Sequence, residues 1–126
     1  MRTVLVVDDE FGTVEVLLAA LEDAGYRALT AANGRRALER LEENKPDLVV
    51  SDFMMPLMNG AELVRTMRSN PQYRDIPVIM MSAAPETALR RHLQEYEAFL
   101  RKPFRLPALL ELIASLLNPR RSSSPR

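Results

Sequence analysis

The chain has 126 residues, enough for one domain with a full core and too few for two. Hydrophobic content is 47%, and the 17 basic residues cancel the 17 acidic ones, which leaves no bulk charge to attract nucleic acid. Cysteine is absent, so disulfides, thiolate metal sites and cysteine nucleophiles are excluded, and no apolar run approaches the ~18–20 residues of a membrane span.

The N-terminus enters a strand at once, with no signal-peptide pattern, so a soluble cytoplasmic domain that binds neither membrane nor nucleic acid is expected. That first strand, Thr3–Val7, is apolar and β-branched, and three carboxylates follow it: Asp8, Asp9 and Glu10. Phe11, Val14, Leu17, Leu18 and Leu21 then recur at helical spacing until Gly25 stops the helix. Residues 26–30 read as a weaker second strand. Residues 34–45 read as a short helix with Ala37, Leu38 and Leu41 inward, ended before Pro46. Residues 48–51 form an apolar strand closing on Asp52. The loop "FMMPLMNG" leads to a helix over 61–69, with Met54, Met55 and Met58 as loop and core filler. Residues 77–81 are the fourth strand. The charged stretch 85–97 contains a helix and the chain's sole histidine, His92, which is expected to be exposed. Residues 98–100 are a brief fifth strand. Pro107 then sits in the first turn of a last helix reaching about Asn118. Residues 1–118 are thus one domain, and 119–126, "PRRSSSPR", have the composition of a disordered tail or of a linker's beginning.

Five alternations of strand and helix predict a parallel sheet with helices on both faces. Ligands of such sheets bind outside the carboxyl ends of the strands, where strand order reverses. If the order is 2-1-3-4-5, Asp8, Asp9 and Asp52 converge there. Like charges so close raise one another's pKa values unless a cation joins them, and Mg²⁺, which takes oxygen ligands, fits. Ser82 follows the fourth strand and Lys102 the fifth, which adds a hydroxyl and an ammonium at the same level. This set suits phosphoryl transfer onto a carboxylate, chemistry that needs mainly positioning and charge neutralisation. Lys102 stands out for another reason: only Lys45 and Lys102 among the 17 basic residues are lysines, and an ammonium does not do what a guanidinium does. Each piece alone also has an ordinary reading: the acidic pair as a helix cap, Asp52 as a turn residue, Ser82 as a cap, Lys102 as a surface charge. Their coincidence at the ends of four strands favours a site.

With "VLVVDDE", "VVSDFMMPLMNG", "VIMMSA" and "FLRKPF" in this order, residues 3–118 resemble the receiver domain of bacterial two-component response regulators. The resemblance implies a flavodoxin-like (βα)5 fold with strand order 2-1-3-4-5. It makes Asp52 the phosphoacceptor, served by a sensor histidine kinase or a histidine phosphotransfer protein. Asp8, Asp9, Asp52 and the backbone carbonyl of Met54 would hold Mg²⁺. Ser82 would bond a phosphoryl oxygen, Lys102 would pair with the phosphoryl group, and Lys102–Pro103 would be cis. Phe99 would turn inward as Ser82 moves to the phosphate, altering a face of helix four, strand five and helix five where a second copy or a target docks. The resemblance makes the chain a signalling module rather than an enzyme. Two departures concern that face. The stretch from Ser82 to Lys102 is about two residues shorter than usual, and Glu97–Ala98 stands where Gly-Ala is common, which leaves the length and order of the fourth helix open.

Two other classes compete. An aspartyl-phosphate phosphohydrolase of the haloacid-dehalogenase type also needs Mg²⁺, but it carries D-x-D after its first strand and a cap domain for which this chain has no room. A pseudo-receiver would bind partners without phosphate, and the complete set Asp8, Asp9, Asp52, Ser82 and Lys102 speaks against it.

Overall fold

A computed structural model of the protein describes residues 1–118; the expected tail at 119–126 lies outside them. Five strands alternate with five helices: β1 Thr3–Val7, α1 Phe11–Asp23, β2 Arg27–Ala31, α2 Gly34–Glu43, β3 Leu48–Asp52, α3 Gly60–Arg68, β4 Val78–Ser82, α4 Glu86–Arg90, β5 Ala98–Arg101 and α5 Leu106–Leu117. All strand pairs are parallel and the sheet order is β2-β1-β3-β4-β5, as expected. Every residue of β3 and β4 is buried, which is why these strands read as unbroken apolar runs rather than alternations.

The sheet separates two cores. Val4, Val6, Leu48, Val50, Ile79 and Met81 face α1 and α5, meeting Leu17, Leu21, Leu109, Ile113 and Leu117. Leu5, Val7, Val49, Val78 and Met80 face the other way, toward Ala37 and Leu41 of α2, Leu63, Val64 and Met67 of α3, and Leu89 of α4. Among the described residues no helix is long and apolar enough to cross a membrane.

The expected boundaries hold to within a residue or two, with β2 and β4 each shifted one residue C-terminal. Ser82 is therefore the last residue of β4 rather than a loop residue. Two expectations about helix faces need correction. Phe11 does not join the buried stripe of α1; it opens the helix beyond the edge of the core and is 76% exposed. In α5 helical spacing predicts a stripe of Leu109, Leu112, Ile113 and Leu116, but the buried row is Leu109, Ile113 and Leu117, with Leu112 and Leu116 half-buried at its margins. Successive side chains advance 100° around a helix, so an i, i+4, i+8 row packs on the sheet and its neighbours flank it.

The shortened region is where the fold departs most from its sequence outline. α4 has only five residues. The chain from its end to β5 is held by two arginines of α3, one turn apart. Arg65 donates to the carbonyl of His92. Arg68 donates to the carbonyls of Glu95 (3.1 Å), Arg74 (2.7 Å) and Ile76 (2.8 Å), and pairs with Glu97 at 3.0 Å. Glu97 in turn accepts the amide of Val78 at 2.6 Å. Its carboxylate thus ties the start of β4 to α3, which gives a role to the glutamate standing in place of glycine. Arg68 satisfies three main-chain carbonyls with a largely buried guanidinium, and such charge-assisted bonds contribute roughly 1.5–3 kcal/mol each when their loss strands a partner. Arg68→Ala is expected to lower unfolding free energy in urea by about 2 kcal/mol, and Arg68→Lys to recover less than half, because an ammonium cannot span the fork. Equal stability of the Ala variant and the parent chain would contradict this.

Candidate functional site

β1 and β3 are neighbours, so the residues that end them meet. Oxygen atoms of Asp8, Asp9 and Asp52 lie within 4.8 Å of one another. Asp8 and Asp52 are buried, at 2% and 8% exposure, while Asp9 faces solvent. Asp8 also shapes the chain: its Oδ1 accepts the Glu10 amide at 2.9 Å, an Asx turn that starts α1. Of the helix-cap reading of the acidic pair, only this bond from Asp8 is present; Glu10 is the N-cap residue but makes no side-chain cap bond.

Lys102 reaches this group from the end of β5. Its Nζ lies 2.9 Å from Asp8 Oδ2 and 3.4 Å from Asp52 Oδ1. The Lys102–Pro103 peptide is cis, and the Lys102 amide bonds the Ser82 carbonyl at 2.8 Å, linking the ends of β4 and β5. Burial lowers the lysine's affinity for its proton, but the bond to Asp8 and the charges of Asp52 and Asp8 outweigh that and raise its pKa. Asp52 is pushed up to about 6, first by burial and then by the charge of Asp8, against the pull of Lys102 and the Phe53 amide. A carboxylate shifted this way beside a second buried carboxylate is a site short of positive charge.

The remaining expected residues border this cluster. Ser82 is 2% exposed, and its Oγ accepts the Ala84 amide at 3.0 Å. Phe99 stands opposite Met80 in the β4–β5 register and is half-buried against the core on the α3 side. Met54 opens the loop after β3 with its side chain 64% exposed, whereas Met55 and Met58 pack against the core as expected. His92 is exposed, yet its ring lies 5.7 Å from that of Phe53, the residue after Asp52.

The loop from β3 to α3 is tightly built. The Met58 amide bonds the Pro56 carbonyl at 2.8 Å around Leu57, whose φ is +69°, a γ-turn that a leucine adopts at some cost. Asn59 and Glu62 cap α3 reciprocally, each side chain accepting the other's amide at 2.9 Å. Gly60 lies against the end of β3: a Cβ there would stand 2.3 Å from the Asp52 carbonyl oxygen. Sequence reasoning missed the γ-turn, since leucine is not a residue type that signals positive φ, and missed the Arg68 network, whose acceptors are mostly main-chain atoms.

Comparison with known proteins gives one answer throughout. The chain is 36% identical to the phosphate regulon transcriptional regulatory protein PhoB of Pseudomonas aeruginosa, over 98% of this chain and 56% of PhoB. It is 28% identical to the polar-differentiation response regulator DivK of Brucella anthropi, over 93% of this chain and 97% of DivK. It thus spans about half the length of the first and nearly all of the second. Among solved structures, the Vibrio cholerae chemotaxis protein CheY4 superposes with a TM-score of 0.84 at 34% identity, covering 92% of this chain and 98% of that one. TrrA of Thermotoga maritima, solved in complex with Mg(2+)-BeF, superposes with a TM-score of 0.83 at 30% identity, covering 92% and 99%. The profile of the response regulator receiver domain matches residues 4–114, from the second residue of β1 to within the last turn of α5, and the chain therefore belongs to the receiver domain family of two-component signalling.

Proposed function

We propose that Asp52 accepts a phosphoryl group from the phosphohistidine of a sensor histidine kinase or a histidine phosphotransfer protein, and that the domain changes its binding face in response. The observation that carries this reading is Lys102 bridging the buried carboxylates of Asp8 and Asp52 at the mouth of the site. An Asp52 oxygen attacks phosphorus as the P–N bond breaks, and the leaving imidazole keeps the electron pair and takes up a proton from solvent. Asp8, Asp9, Asp52 and the Met54 carbonyl would hold Mg²⁺, which when bound neutralises the carboxylates and the incoming phosphoryl oxygens. The three clustered acids fit a hard cation, and the Mg²⁺-bound TrrA structure supports the comparison. Lys102 orients the nucleophile before transfer and pairs with the phosphoryl group afterwards; Ser82 is placed to donate to a phosphoryl oxygen once its hydroxyl turns from the Ala84 amide. The test is exposure to acetyl phosphate with Mg²⁺, followed by mass spectrometry. One added phosphate per chain is expected, and none without the metal. A chain that stays unmodified with Mg²⁺ present would refute the reading.

The phosphorylated form is expected to hydrolyse slowly. Met54 and Ala84 each stand two residues beyond a site residue, Asp52 and Ser82. Neither can hydrogen-bond an attacking water, and orienting such a water is commonly worth about tenfold or more in rate. Decay of the acyl phosphate should accelerate by about that factor in the double variant Met54→Asn, Ala84→Glu; an equal rate would remove the argument.

Phe99 turning further inward with Ser82 would reshape the face of α4, β5 and α5, and that face is the proposed output surface for a second copy or a protein target. α5 supplies half-buried Leu112 and Leu116 on the flank of its buried row away from α1, whereas Leu106 and Leu110 line a groove with Val16 and Ala20 of α1. Sedimentation should show phosphorylation-dependent association that Leu112→Glu abolishes. A partner shifts the balance only by its difference in affinity for the two conformers, so a variant that leaves all association unchanged would exclude this face.

A further inference from the structure

β3 carries one polar side chain in its interior. Leu48, Val49 and Val50 precede Ser51, and Val7 on β1 and Met80 on β4 stand beside it in register. Ser51 is fully buried. Packing alone would be served by alanine, and a buried hydroxyl is unfavourable unless it is bonded. Its bond is local: Oγ donates to the main-chain oxygen of Asp52 at 2.9 Å.

That oxygen belongs to the peptide joining Asp52 to Phe53. The N–H at the other end of the same peptide donates to the Met81 carbonyl at 2.9 Å and to the Asp52 carboxylate, Oδ1, at 3.1 Å. Pairing between β1 and β3 ends at Val7 and Ser51, one residue short of Asp52, so the ladder to β1 does not extend to this peptide. Gly60 admits the oxygen by lacking a Cβ.

From this geometry we infer that Ser51 is a positioning residue for phosphoryl transfer, an inference that rests on Asp52 being the acceptor. A peptide is a rigid plane. Holding its oxygen therefore aims its N–H, and that N–H is one of two groups on Asp52 Oδ1, the other being Lys102 at 3.4 Å. Ser51 touches no reacting atom. It acts through the peptide to fix the rotamer of the nucleophile, and a small misorientation of a nucleophile is costly in rate.

The test compares Ser51→Ala and Ser51→Thr with the parent chain at saturating Mg²⁺. Phosphorylation by acetyl phosphate is expected to slow about tenfold in Ser51→Ala, and the Phe53 amide proton resonance to move upfield as its bond to the carboxylate loosens. Ser51→Thr, which keeps the hydroxyl, is expected to restore both. Either a parental rate or an unmoved Phe53 amide in Ser51→Ala overturns the inference, and so does a folded Ser51→Thr as slow as the alanine variant. If Ser51→Thr does not fold, the two readouts on Ser51→Ala decide. Should the parent chain accept no phosphoryl group, it is the proposed function that fails, while the Phe53 amide still reports whether Ser51 holds the peptide.

Discussion

Asp52→Asn is expected to take up no phosphoryl group from acetyl phosphate and Mg²⁺, and at neutral pH, without metal, to be more stable than the parent chain. The first effect is complete because an amide nitrogen or oxygen is no nucleophile toward phosphorus under these conditions, and no other carboxylate has both a Lys102 contact and a place at the end of β3. Label of equal yield on the variant would move the acceptor elsewhere. The second effect follows from crowding. Burial and Asp8 raise the Asp52 pKa to about 6 from an ordinary carboxylate value, so the folded protein favours the protonated form. Its contribution to stability is present below the unfolded pKa and is lost as pH rises through about 6. Above that, the ionised side chain destabilises the fold by an amount that, discounted for solvent screening, is on the order of 1 kcal/mol. Asparagine removes this charge, so the variant's advantage should show at pH 7.5 and vanish near pH 4. Mg²⁺ should raise the melting temperature of the parent more than that of the variant. An Asn variant less stable than the parent at pH 7.5 would mean that Lys102 already neutralises the cluster.

Gly60→Ala is expected to destabilise the domain by about 3 kcal/mol, at the upper end of overpacking costs, and to impair phosphorylation with it. The added methyl would stand 2.3 Å from the Asp52 carbonyl oxygen and 3.1 Å from the Phe53 Cα, both main-chain atoms. Main chain cannot rotate aside as a side chain can, so either α3 lifts from the sheet or the end of β3 shifts. The first course strains the Asn59–Glu62 capping box and the bond from the Gly60 amide to the Phe53 carbonyl at 2.8 Å. The second moves Asp52, the proposed acceptor. Gly12→Ala is the control: nothing lies within 4 Å of its Cβ position, the residue is in a helix, and removing backbone freedom there should raise stability by up to about 1 kcal/mol. Urea unfolding of both variants checks the pair. A Gly60→Ala protein within 1 kcal/mol of the parent would show that α3 can give way at little cost.

Much of this site was legible in the sequence because each functional group ends an element. Asp8, Asp52, Ser82 and Lys102 each follow an apolar run, and runs of that kind show where strands stop. A parallel sheet brings such ends together whatever the details of packing. What escaped the sequence depends on distances across the fold. Arg68 reads as one more helix-end cation, and nothing in the chain's pattern says that its acceptors are carbonyls 6 to 27 residues away. Phe11 fits the period of α1, but periodicity does not reveal how far the core extends, and the first turn overhangs it. Leu112 and Leu116 share the repeat with Leu109 and Ile113, and only contact with the sheet selects Leu117 in their place.

The arginine clamp has a consequence for how this surface can diversify. Arg65 and Arg68 grip the 91–97 segment through main-chain oxygens, apart from the single carboxylate of Glu97. Carbonyl oxygens are alike in every residue, so substitutions at Arg91, Gln94 or Glu95 leave the grip intact, while one inserted residue displaces its acceptors. Length is thereby fixed and spelling is free. A lineage could rewrite the surface chemistry of this edge by point mutation without re-solving the fold, and a designer could graft a foreign sequence there on the same terms.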